Sequence, residues 1–220
     1  MTITHNPYLL YLVTDDQQSI TTLEHVVREA VAGGITMVQV REKQGDIRTF
    51  IQRALIIKTV LQQAYIATGH HIPLIINDRV DVALAVDADG VHLGQSDMPV
   101  ALARQLLGQD KLIGLSIETE QQLLDSATLP IDYIGLSAIF TTATKSNLIT
   151  HWGITGLQRA ATISQFPIVA IGGINHTNLS SVMAAGADGV AIVSAISHAD
   201  DPRQAAAGIL ATLSTNKYKQ

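Results

Sequence analysis

The chain of 220 residues contains no cysteine. That excludes disulfides and thiol nucleophiles, and it suits a cytoplasmic protein. Basic residues are scarce: 14 Lys and Arg against 19 Asp and Glu give a formal charge of −5, with no basic stripe. Nucleic acid is therefore not an expected partner. No apolar stretch is long enough to span a bilayer, so no membrane partner is expected either. The N-terminal MTITHNPYLLYLVTDD lacks a basic lead-in and reads as a strand rather than an export signal. Low-complexity tracts are also missing.

What is present is apolar and alternates in period. Hydrophobic residues make up 47% of the chain, enough for a large core. Eight short apolar runs read as strands: Tyr8–Val13, Met37–Val40, Leu74–Ile76, Gly90–Leu93, Leu112–Leu115, Tyr133–Leu136, Ile168–Ile171 and Gly189–Val193. Helix-period stretches separate them, at Ile20–Ala32, Asp46–Thr68, Arg79–Val86, Pro99–Leu107, Glu118–Ser126, Thr155–Ser164 and Asn178–Ala185, and Pro202–Ser214 closes the chain. Strands apolar along their whole length belong to parallel sheets buried on both faces. Eight β-then-α units in this length fit a (β/α)8 TIM barrel better than an open doubly wound sheet. No linker or composition shift marks a second domain, so residues 1–220 read as a single catalytic domain. The phrases AGGITMVQV, AVDADGVHL and AAGADGVAIV look alike, and in each a helix is expected to stop at Gly before the next strand.

In such a barrel, chemistry gathers at the C-terminal strand ends. Those ends carry Gln39, Arg41 and Lys43; Asn77, Asp78 and Arg79; Gln95 and Asp97; Ser116; Thr142, Thr144 and Lys145; and the phrases IGGI and VSAI. Asn77-Asp78 alone would be ordinary turn chemistry, and Arg41-Glu42-Lys43 alone a solvated charge run. Together they place four cations and two carboxylates on one rim. Acids beside cations point to a hard divalent metal shared with a polyanion, as Mg²⁺ is commonly held by one or two carboxylates, substrate phosphates and water. Zinc is disfavoured, since no His pair has ligand spacing. Gly172, Gly173 and Ser194, after the last two strands, form a separate expected phosphate site. Two anion sites on one rim point to a two-substrate reaction. His92 reads as a packed or hydrogen-bonded core histidine, and Trp152 as either part of a lid or a packing anchor.

The ordered motifs VQVREK, INDR, GVHLGQSD, GLS, IFTTATK, IGGI and AGADGVAIVSAI resemble those of the thiamine-phosphate synthase family, from YLVTD at Tyr11–Asp15 to VSAI at Val193–Ile196. The resemblance implies a transferase of thiamine biosynthesis. It would join 4-amino-2-methyl-5-hydroxymethylpyrimidine diphosphate to 4-methyl-5-(2-phosphoethyl)thiazole, giving thiamine phosphate and pyrophosphate. It further implies one Mg²⁺ on Asp78 and Asp97. Gln39, Arg41, Lys43, Asn77, Ser116 and Lys145 would hold the pyrimidine diphosphate, with Arg41, Lys43, Ser116 and Lys145 at the chemistry. Thr142 and Thr144 would contact the thiazole, and Gly173, Val193 and Ser194 its phosphate. The mechanism implied is dissociative, through a stabilised carbocation.

The sequence departs from the family pattern at three places. Ser137-Ala138 replaces the usual Gly-Pro, Ser96 replaces an acid before Asp97, and Glu118 stands where His is frequent. A thiazole tautomerase, the sister branch, would share the thiazole-phosphate site without the full diphosphate apparatus. A sugar-phosphate epimerase would want metal-binding His residues or paired acid/base groups at strand ends, and neither is present. A module that binds thiazole phosphate without turnover is the third rival. Nothing in the sequence decides between a monomer and a homo-oligomer.

Overall fold

A computed structural model describes residues 6–141 and 151–216. Eight parallel strands close into a barrel in sequence order: β1 (Leu10–Val13), β2 (Met37–Val40), β3 (Leu74–Asn77), β4 (Gly90–Leu93), β5 (Leu112–Ile117), β6 (Tyr133–Ser137), β7 (Ile168–Ile171) and β8 (Gly189–Ile192). Closure comes from β8 against β1, with Leu10, Tyr11 and Leu12 opposite Val190, Ala191 and Ile192. The helices are α1 (Ile20–Ala32), α2 (Ile47–Thr68), α3 (Val80–Val86), α4 (Val100–Leu107), α5 (Glu120–Ser126), α6 (Gly153–Ile163), α7 (Leu179–Ala184), α8 (Ser194–Ser197) and α9 (Pro202–Asn216).

The expected (β/α)8 TIM barrel is thus the observed fold, and strand ends shift by at most two residues. The short α8 was not anticipated, because SAIS is too brief to display a helical period.

Period-two alternation sorts each strand into two faces. Leu10, Leu12, Val38, Val40, Leu74 and Ile76 join the main core with the buried helix residues. Tyr11, Val13, Met37, Ile75, Tyr133, Val169 and Ala191 form a second cluster within the barrel. Capping fixes where the helices start. Ser19 accepts the Thr22 N–H ahead of α1, Asp46 accepts that of Thr49 ahead of α2, and Thr119 and Gln122 form a capping box on α5. Of the three look-alike phrases, two turn through Gly34 and Gly186 at positive φ. In the third, Asp87 takes the left-handed position at φ 47°, and Gly90 is a strand residue. The Asp87 carboxylate accepts from Lys111 Nζ at 2.6 Å. Among the described residues, no helix is long and apolar enough to cross a membrane.

Candidate active site

The C-terminal strand ends surround a cavity of about 700 Å³. Gln39, Arg41, Lys43, Asn77, Asp78, Asp97, Ser116, Gly173, Val193 and Ser194 all line it. Thr142, Thr144 and Lys145 lie outside the described residues.

Asn77 is the last residue of β3, and the chain then turns sharply at Asp78, whose φ is 59°. Left-handed backbone is uncommon for a residue with a side chain, although Asp tolerates it better than most. Two hydrogen bonds hold the turn: Asp78 N–H to His92 O at 2.8 Å, and Arg79 N–H to Asn77 O at 2.7 Å. The Asp78 carboxylate is thereby aimed into the mouth, where it pairs with the Lys43 ammonium. Asp97 does perform turn chemistry, since its Oδ2 accepts the Gly94 N–H at 2.7 Å. The same carboxyl also meets that of Asp78. Burial, then the neighbouring Asp78, push Asp97 above the usual carboxylate range, while the Gly94 N–H and Lys43 pull the other way. Two acids from different strand ends therefore share one space with a cation.

The Arg41-Glu42-Lys43 run is not a solvated face. Arg41 and Lys43 line the cavity, whereas Glu42 is buried and accepts the N–H groups of Gln44 and Gly45 at 2.8 and 2.7 Å. Asp16, in the loop after β1, accepts from Arg41 Nη1 at 3.1 Å and from the Lys43 N–H at 3.2 Å. Arg79, expected on the same rim, is not there. Asp81 captures its guanidinium in two contacts of 2.8 and 2.5 Å, and Arg79 is absent from the cavity lining. A carboxylate two residues away, on the first turn of α3, outcompetes the mouth for this cation.

On the opposite wall, Gly172 and Gly173 have φ of 104° and 65°. A Cβ on Gly172 would lie 2.6 Å from that of Ala138, and one on Gly173 would lie 2.7 Å from Thr141 O. Both glycines thus serve a turn and a close approach. Ile139 N–H to Ile171 O and Phe140 N–H to Gly172 O, each 3.0 Å, fasten the chain leaving β6 onto the end of β7. The Ser137-Ala138 departure sits at this junction. Ser137 is buried against the cavity, and the Ala138 methyl packs on Gly172. Trp152 packs its side chain against the main core, and its backbone N–H donates to Ala138 O at 2.9 Å, so it is a packing anchor.

Sequence reasoning missed a polar row beneath the cavity. Gln39 Nε2 donates to Tyr11 Oη at 2.8 Å, and Tyr11 Oη lies 3.0 Å from Tyr133 Oη. Tyr133 Oη is 3.1 Å from His92 Nδ1, and His92 Nε2 is 3.0 Å from Ser116 Oγ. His92 is therefore hydrogen-bonded inside the barrel as expected, but it also lines the cavity. The signal available in the sequence was Gly114 and Gly135, each inside a strand where glycine is unfavourable unless something approaches closely.

The model of the thiamine monophosphate synthase family matches residues 10–196. The chain belongs to that family. A thiamine-phosphate synthase of Vibrio parahaemolyticus is 62% identical over 208 residues, covering 94% of this chain and 99% of the relative. One from Chloroflexus aurantiacus is 46% identical over 211 residues, covering 96% and 94%. The solved thiamine phosphate pyrophosphorylase of Pyrococcus furiosus superposes with a TM-score of 0.83 at 32% identity, over 96% of this chain and 98% of that one. A 3-hexulose-6-phosphate synthase, at a TM-score of 0.66 and 16% identity over 92% of this chain and 98% of that one, shares the fold alone. Membership of this family makes the chain a transferase.

Proposed function

We propose that the chain, acting as one catalytic domain in the cytoplasm, joins 4-amino-2-methyl-5-hydroxymethylpyrimidine diphosphate to 4-methyl-5-(2-phosphoethyl)thiazole. The products are thiamine phosphate and pyrophosphate. The observation that carries this reading is the shared cavity, which has a carboxylate–cation cluster on one wall and Gly173 with Ser194 on the other. Strong identity to enzymes named thiamine-phosphate synthase supports it.

The donors at the cluster are oxygens, which suit a hard cation such as Mg²⁺. Asp97, raised by burial and then by its like-charged neighbour Asp78, is the group a divalent ion would stabilise in its charged form. Asp78 and Asp97 would hold the ion, and the diphosphate and water would complete its shell. When bound, Mg²⁺ supplies neutralisation of charge on the leaving diphosphate.

The chain's own residues divide the remaining work. Gln39, Asn77 and Ser116 orient the pyrimidine diphosphate. Arg41 and Lys43 stabilise the diphosphate as the pyrimidine C–O bond breaks and the electron pair leaves with oxygen. The thiazole nitrogen lone pair then forms the new C–N bond. Gly173, Val193 and Ser194 hold the thiazole phosphate so that this nitrogen faces the carbocation. Thr142, Thr144 and Lys145 keep their assignments to the thiazole and the diphosphate on the family resemblance alone. No protein nucleophile is required.

Incubation with both substrates and Mg²⁺ tests the proposal. Thiamine phosphate and pyrophosphate should appear in equal amounts. Thiazole isomerisation without pyrophosphate release would indicate the tautomerase instead, and binding without turnover a non-catalytic module.

A further inference from the structure

We infer that Tyr11, Tyr133 and His92 are positioning residues that fix the hydrogen-bond polarity of Gln39 and Ser116, the two cavity-facing groups at the ends of their row. This deepens the proposed function and rests on that reading of the cavity.

The row crosses the barrel from β2 through β1, β6 and β4 to β5, with every link between 2.8 and 3.1 Å. It is built rather than incidental. A Cβ on Gly114 would lie 2.2 Å from Tyr133 Cζ and 2.4 Å from His92 Nδ1, and one on Gly135 would lie 2.8 Å from His92 Cε1. Two strand positions thus lack side chains where the rings pass. Tyr11 is 1% exposed and Tyr133 0%, so water does not compete for their hydroxyls. Burial is the largest influence on both phenols and holds them well above their usual range. Each therefore keeps its single proton and can donate only once.

With each phenol donating within the row, the row runs in one of two directions. With Gln39 Nε2 donating, Tyr11 donates to Tyr133 and Tyr133 donates to His92 Nδ1. The imidazole proton is then on Nε2 and points to Ser116 Oγ. Ser116, having accepted, keeps its own proton for a ligand, and Gln39 keeps its carbonyl oxygen. The reverse direction would present the Gln39 amide N–H and a Ser116 lone pair. The first direction is the one an aminopyrimidine diphosphate needs. Its exocyclic amine requires an acceptor, while its ring nitrogens and diphosphate oxygens require a donor. The row makes these two choices a single choice, taken before the substrate arrives.

Long-range ¹⁵N NMR of the imidazoles reads the direction in the intact protein, with His92 assigned from the spectrum of His92→Gln. The inference expects the Nε2–H tautomer for His92. Tyr133→Phe keeps the ring and removes one link. It should mix the His92 tautomers and raise KM for the pyrimidine diphosphate about tenfold, the worth of roughly one misaligned hydrogen bond. KM for the thiazole phosphate should change by less than about twofold, as that phosphate lies on the opposite wall. An Nδ1–H tautomer or an imidazolium in the unaltered protein would overturn the inference. So would Tyr133→Phe with an unchanged KM for the pyrimidine diphosphate. The tautomer is read without turnover, so its failure is distinct from a failure of the proposed reaction.

Discussion

The Lys43 ammonium is paired with the Asp78 carboxylate at the mouth of the barrel, although the two residues follow different strands, β2 and β3. Each is thereby partly neutralised, and on the proposed function a diphosphate and a metal would offer both a better partner. Lys43→Ala should consequently have two opposite effects. Metal binding to the free protein should tighten, because a competing cation has gone. The kcat should fall by at least about tenfold, because Lys43 meets charge that develops on the leaving group. Calorimetric Mg²⁺ titration beside steady-state kinetics measures both. A fall in metal affinity together with an unchanged kcat would contradict this assignment.

Ser194 lines the other wall of the cavity, which the proposed function gives to the thiazole phosphate, away from the bond that would break. A contact with that phosphate would be similar in ground and transition states, so Ser194→Ala should act on binding. A hydrogen bond to a charged group is worth about 1.5–3 kcal/mol, which corresponds to a KM increase on the order of 10- to 100-fold. The kcat should change little. An increase confined to KM for the pyrimidine diphosphate would show that strands β7 and β8 are wrongly assigned.

Asp16 holds Arg41 by its guanidinium and Lys43 by its backbone, with a side chain only 8% exposed. Asp16→Asn nearly preserves shape but removes the charge. Both cations should lose their fixed position, and KM for the pyrimidine diphosphate should rise about tenfold, the scale of a single charged hydrogen bond. The thiazole phosphate KM serves as the internal control. Equal changes in the two would argue for general loosening of the barrel.

His198 Nε2 lies 2.6 Å from Asp15 Oδ2 and ties the chain after α8 to the loop after β1. Burial alone would raise the Asp15 carboxyl, but the Gln17 N–H and His198 outweigh it and hold it below the usual carboxylate range. A carboxyl depressed in the fold contributes its full stability above its unfolded pKa and loses it as pH falls through the folded value. Asp15→Asn should therefore cost about 1 kcal/mol near pH 7 and much less near pH 3. Urea midpoints at the two pH values check the sign. A loss that grows on acidification would refute it.

The barrel was legible because each strand is a short apolar run bounded by turn residues and separated from the next by a helix-period stretch. Strand-end logic then brought Gln39, Arg41, Asp78, Asp97 and Gly173 to one rim, since a closed parallel barrel leaves them nowhere else to gather. What stayed hidden depends on contacts across the barrel. His92 looks bland in GVHL, and its partners Tyr133 and Ser116 stand 41 and 24 residues away. Arg79 was misplaced because strand-end logic ignores local competition, and Asp81 lies two residues on. Asp16 sits in a polar loop whose composition gives no hint that it braces two cations.

Asp97→Asn under Mg²⁺ titration tests the central claim most directly. Asparagine can still accept the Gly94 N–H, so the turn and the fold should persist, as circular dichroism and the melting temperature would register. What disappears is one of the two carboxylates proposed to hold the ion, together with its charge beside Asp78. The account predicts a kcat at least about tenfold lower and half-maximal activation at a markedly higher Mg²⁺ concentration. A variant with the unaltered rate and the unaltered Mg²⁺ dependence would mean that Asp97 only closes its turn, and that the metal is not held by the Asp78–Asp97 pair.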